Sequence, residues 1–207
     1  MHRFLTRTLP LVTLLPAVLL LACAPAALGA GRFGATDVMD VPTSGILNDG
    51  AFGLYANAED GLTVLGMDFG LLPNLEAGLQ ALLSGGWTSA GLRLKYHLLS
   101  EKRDGFGLAV GLQDIGQTFT TPYIVAGKTL GRGFQGYLGI GGGWLDGVFF
   151  ALTKRLDTSL GADLFLEYDG SGVNAGARLP LTPGLNLDLG APDLDHLVVG
   201  VSYVSRF

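Results

Sequence analysis

At 207 residues the chain has room for one domain and little more. Hydrophobic residues make up 48% and charged residues only 15%, which excludes a disordered chain. A formal net charge of −5 offers no basic face for nucleic acid.

Residues 1–30 read as an export signal peptide. Arg3 and Arg7 make the basic start, Leu9 to Leu21 the apolar middle, and Ala24 to Ala30 the small-residue end. This leader holds two of the 13 basic residues and none of the 18 acidic ones, so the exported remainder is more acidic still. The single cysteine, Cys23, has no internal disulfide partner. Leu20-Leu21-Ala22-Cys23 resembles a bacterial lipobox, in which the cysteine is lipidated and becomes the mature amino terminus. The alternative is an ordinary leader cut after Gly29 or Ala30, with Cys23 lost. Beyond the leader no apolar run reaches the roughly 20 residues a transmembrane helix needs.

Residues 31–50 lack periodicity and are punctuated by Gly, Pro42 and Asp. They read as an irregular segment entering a barrel or lying inside it. From 51 to 207 a two-residue rhythm takes over and predicts about twelve strands (10–14) of an all-β, antiparallel, up-and-down transmembrane barrel. The clearest are 75–83, 90–98, 105–113, 160–168 and 173–179, where Leu, Val, Ala and Tyr alternate with Gly and polar residues. Phe165 and Leu82 break the pattern on the inner face. Weaker strands are expected at about 51–57, 62–69, 122–130, 134–143, 147–155 and 185–190. In 122–130 the faces compete, with Ile124, Ala126 and Leu130 against Tyr123 and Val125. Short turns such as Pro73-Asn74, Gly85-Gly86 and Pro183-Gly184 connect neighbours as hairpins. An even strand number returns the carboxy terminus to the periplasmic side where the amino terminus starts. Trp87, Tyr96, Phe106, Tyr123, Phe134, Trp144, Tyr168 and Phe207 lie towards strand ends, as interfacial girdles would.

The last stretch, His196 to Phe207, places Val199, Val201, Tyr203 and Phe207 on one face. It resembles the carboxy-terminal strand of bacterial outer-membrane barrels, with Ser205 as the departure. The resemblance implies that Tyr203 and Phe207 form the signal read by the outer-membrane insertion machinery.

Two further stretches carry a family resemblance. Gly34-Ala35-Thr36, Val41-Pro42-Thr43-Ser44 and Asn48-Asp49-Gly50 are similar to the opening of YjbH-like outer-membrane proteins, which are associated with exopolysaccharide. Gly111 to Gly116 and Tyr123 to Lys128 resemble an internal block of the same family. The resemblance spans about Gly34 to Phe207 and implies a single barrel unit of a family whose proteins are longer. It also implies polysaccharide-export components as partners.

The chemistry of the chain is sparse. There is no CxxC, HExxH, Walker loop or GxSxG, and Gly139 to Gly143 reads as a glycine-lined strand. No catalytic, cofactor-binding or metal residue is assigned, and an enzyme is not expected. His97 reads as a lumen-wall or interfacial residue and His196 as a loop residue. The candidate functional set is an inward polar network of Glu76, Gln80, Arg93, Lys95, Asp163, Glu167, Arg178 and Asp188. It lines an aqueous path or pairs across a filled interior, and the short links favour the second. The expected protein is therefore a structural or pore-like barrel of the bacterial outer membrane, in contact with the lipid bilayer. The alternatives are an outer-membrane barrel enzyme, or a secreted soluble barrel with inverted faces that binds an apolar ligand.

Overall fold

The computed structural model describes residues 34–158 and 161–206. The predicted leader, Cys23, Leu160 and Phe207 lie outside the described residues, and with them the lipidation site and half of the predicted insertion signal.

Twelve strands form one closed antiparallel barrel in sequence order: β1 Ala51–Glu59, β2 Leu62–Leu72, β3 Leu75–Ser84, β4 Trp87–Leu99, β5 Gly107–Ile115, β6 Thr121–Gly131, β7 Phe134–Gly141, β8 Gly147–Arg155, β9 Asp163–Tyr168, β10 Val173–Thr182, β11 Leu185–Ala191 and β12 Val198–Arg206. A single helical turn, α1 Glu101–Asp104, joins β4 to β5, and a 3-10 turn, Pro192–Leu194, precedes β12. β12 closes on β1 through a ladder from Ala51↔Arg206 to Ala58↔Val199, so no sheet edge is left open. β1 begins and β12 ends at the same end, called the terminal end below. Tyr203 stands outward on β12, paired with Leu54 of β1 and Leu185 of β11.

The alternation in sequence becomes an inside and an outside. Leu79, Leu92, Leu94, Leu138, Ile140, Leu164 and Leu166 are exposed on the outer wall. Glu76, Gln80, Arg93, Lys95, Glu167 and Asp188 are buried on the inner one. An inverted soluble barrel would show the reverse, so the outer wall is built for lipid. Arginine at Leu79, halfway along β3, is therefore expected to cost about 2–4 kcal/mol of stability in vesicles. Urea unfolding of Leu79→Arg beside Leu79→Met checks this; equal stabilities would contradict a lipid-facing wall.

The ladder also resolves the ambiguous strand. Tyr123 and Val125 of β6 point inward and Ile124 outward. Tyr123 is thus a correction: it belongs to the interior and not to an aromatic girdle. Its ring lies over Gly111, its partner on β5. The same pairing recurs around the barrel. Tyr55 covers Gly66, Tyr137 covers Gly127, Phe149 covers Gly139, and Phe165 covers Gly176, each pair directly opposed across a ladder. A Cβ on any of these glycines would collide with the ring. Much of the glycine content is space for inward aromatic rings.

A barrel of eight strands can be filled by side chains alone, and one of twelve is wider. Residues 34–50 take up the difference. They enter at the terminal end, where Gly50 N–H donates to Gly70 O at 3.0 Å, and fold back inside the lumen as a tight loop. Asp37 and Pro42 bridge, and Val38 N–H donates to Val41 O at 3.0 Å. The loop tip, Val38, Met39 and Val41, is fully packed among Ala109, Val125, Leu145, Phe149, Phe165 and Val198 of the wall. A smaller apolar cluster of Tyr55, Leu62, Val64 and Leu82 fills the lumen nearer the opposite end.

Candidate functional site

The polar residues of the inner wall gather around this internal segment, which is a plug. β2, β3 and β4 supply its seat. Glu76 and Lys95 oppose each other on β3 and β4, and Arg93 lies opposite Gly78. Gly78 is in turn opposite Asp68 of β2, and having no side chain it lets the Asp68 carboxylate reach across towards Arg93, 3.7 Å away. The Asp37 carboxylate of the plug enters this seat. It pairs with the Arg93 guanidinium and accepts from Lys95 Nζ at 2.9 Å, and both ion pairs are buried. Burial pushes the Asp37 carboxyl up, but Arg93 and Lys95 outweigh it and hold the group below the ordinary carboxylate value.

The other contacts fix the plug backbone. Asp68 accepts from Ala35 N–H at 2.9 Å, and Glu76 accepts from Leu47 N–H at 2.7 Å and from the Thr36 hydroxyl at 2.9 Å. Lys95 also donates to Thr36 Oγ1 and to Gly45 O. Arg93 donates to the Tyr55 hydroxyl at 2.8 Å, and that hydroxyl stands 3.5 Å from Gln80 Oε1. Across the lumen Glu167 of β9 takes the loop tip. Its two oxygens accept from the N–H groups of Met39, Asp40 and Val41 at 3.1, 2.8 and 3.3 Å, and from Asn174 at 3.1 Å. Three successive backbone donors on one buried carboxylate form a nest, which gives the apolar tip its polar partner.

The remaining predicted residues form a ladder of alternating charge. Arg155, Asp163, Arg178 and Asp188 are directly opposed on β8, β9, β10 and β11. Arg178 Nε donates to Asp188 at 2.5 Å and its Nη1 reaches Asp37 O at 3.4 Å, so this ladder also touches the plug. Asp163 pairs with Arg155 at 3.1 Å in a half-exposed position and stays clear of the plug. The structure thus brings Glu76, Gln80, Arg93, Lys95, Glu167, Arg178 and Asp188 into one assembly, with Asp163 at its margin. Asp37, Asp68 and Tyr55 belong to it as well, although the sequence did not single them out. Asp37 carried one signal: it is the first acidic residue of the chain.

Two cavities lie either side of residues 43–46, towards the terminal end. One of about 660 Å³ is bounded by Ile46, Asn74, His97, Lys102, Tyr137 and Arg206. The other, about 450 Å³, is bounded by Thr36, Val38, Phe134, Thr153, Arg155 and Arg178. His97 therefore lines a vestibule. His196 stands 2.7 Å from the buried Glu59 carboxylate, beside the seam between β1 and β12. Among the described residues no group of three His, Cys, Asp or Glu side chains is placed to hold a metal ion.

Comparison with solved structures gives the same architecture. A KdgM porin superposes with a TM-score of 0.56 at 10% identity, covering 76% of this chain and 99% of the porin. A KdgM porin in complex with disordered oligogalacturonate gives 0.54 at 11%, with the same coverage. A NanC porin gives 0.50 at 11%, covering 75% of this chain and 99% of the porin. At such identities the likeness is one of fold: a closed antiparallel barrel, the form in which β-proteins span the bacterial outer membrane. Comparison with curated proteins finds no match. The family model for YjbH, exopolysaccharide biosynthesis protein YbjH, matches residues 30–171. The chain is an outer-membrane β-barrel that belongs to the YjbH family.

Proposed function

We propose that this barrel serves exopolysaccharide production as a plugged pore of the outer membrane, and that it is a conduit or support and not an enzyme. The observation that carries this reading is the double seat of residues 34–47. Asp37 is held by Arg93 and Lys95 on one wall, and the loop tip by Glu167 on the other. The segment fills a lumen that wall side chains alone would leave open, yet side-chain contacts and not a strand ladder hold it to the wall, so it can leave without opening the sheet. That is what a closed state of a pore requires. The vestibule beside the plug gives a solute or an export component access from the terminal end, which faces the periplasm in an even-stranded barrel. The insertion machinery would receive Tyr203 and Phe207 during assembly, and lipidation at Cys23 would add a second anchor.

Liposome swelling tests the conduit. Vesicles carrying the full chain are expected to resist swelling in small sugars, and those carrying Lys95→Ala to swell. Swelling by neither protein, with both folded by heat-modifiable gel mobility, would leave the support role and remove the pore. Rapid swelling with the unaltered chain would remove the plug as a closure.

A further inference from the structure

The outer wall carries a feature that the lumen does not explain. Among the described strand residues that face outward, the charged ones are Lys128 of β6 and Lys154 of β8, on either side of β7. Lys154 is already engaged: its ammonium lies 4.6 Å from the centre of the Phe134 ring and donates to Arg132 O. Lys128 has no carboxylate partner among the described residues. It borders a groove of about 330 Å³ on the lipid-facing side of β5, β6 and β7. The floor is Ala126 and Gly136, and the walls are the exposed side chains of Phe106, Leu130 and Leu138. Lys128 lies directly opposite Gly136, so the cleft runs from the ammonium into an apolar slot.

We propose that this groove is a binding site for one anionic phospholipid of the periplasmic leaflet, with its phosphate on Lys128 and an acyl chain between Leu130 and Leu138. Three observations carry it. Ala126 and Gly136 leave a dent between the exposed side chains of Phe106, Leu130 and Leu138. Among the described residues, the one unengaged charge on the lipid-facing strands is positive and stands at that dent. Its place near the terminal end puts it at the depth where a lysine reaches the headgroups at little cost, whereas at the midplane it would destabilise the barrel. Charge complementarity selects an anionic headgroup over a zwitterionic one.

The test is native mass spectrometry of the full chain, folded in neutral detergent, with phosphatidylglycerol or phosphatidylcholine added in equal amounts. The unaltered chain is expected to retain one phosphatidylglycerol about fivefold better, the worth of one lysine near an anionic headgroup. Lys128→Gln should erase that preference and Lys154→Gln should leave it intact. Gly136→Leu, which fills the slot, should lower retention of both lipids. Heat-modifiable mobility shows that each variant has folded. Equal retention of the two lipids by the unaltered chain, the same loss from Lys154→Gln as from Lys128→Gln, or full retention by Gly136→Leu would each overturn the proposal.

Discussion

Arg93→Ala is expected to lower the stability of the barrel by about 3–5 kcal/mol, the usual result of removing one partner from a buried ion pair. The size follows from what is left behind. Asp37, Asp68 and Glu76 are all buried around Arg93 and Lys95, so without the guanidinium three carboxylates share one ammonium. The Tyr55 hydroxyl loses its donor as well. Because Asp37 belongs to the plug and the other two carboxylates to the wall, the cheapest relief is to expel the plug. Urea unfolding in vesicles should show the loss. Adding Asp37→Asn to the same chain should recover part of it, by removing the surplus charge. If the second change deepened the loss instead, Asp37 would not be held there by charge.

Glu167→Ala is the second large effect, and it acts at the opposite wall. The N–H groups of Met39, Asp40 and Val41 lose their acceptor in a site too apolar for water to replace it. Each buried donor left unpaired costs about 1–3 kcal/mol, so the tip is expected to leave its pocket. Amide hydrogen exchange at residues 39–41 should rise by orders of magnitude while the strand amides stay protected. Glu167→Gln, which keeps one acceptor oxygen, should fall between. Unchanged protection at residues 39–41 in Glu167→Ala would contradict the nest.

The two effects lie on elements of unequal legibility. The number of strands was legible, most clearly at 75–83, 90–98, 105–113, 160–168 and 173–179 and more weakly elsewhere, because the two faces of a membrane barrel meet environments as different as lipid and a packed polar interior. Their ends moved by a few residues where ladders carry bulges, as between Gly70 and Leu72. Tyr123 could not be placed from its own strand, since what draws it inward is Gly111 on the neighbouring strand, a matter of register and not of local pattern. The inward charges were legible one by one, as charges interrupting Leu and Gly. Their common purpose was not. Asp37, Asp68 and Glu167 meet through a segment that has no periodicity, and its course is fixed by contacts as distant as Met39 to Glu167. Asp68 stayed hidden for a simpler reason: β2 is rich in apolar residues on both faces, with Leu62 and Val64 also pointing inward.

If residues 34–47 close the lumen, their removal should open it, and single-channel recording reads that opening. The full chain and a chain lacking residues 34–47, both shown to be folded by heat-modifiable mobility, would be recorded in the same planar bilayer. The full chain is expected to be silent with rare openings, and the chain without the plug to give stable conductance steps. Equal conductance of the two, whether both open or both silent, would contradict closure by the plug.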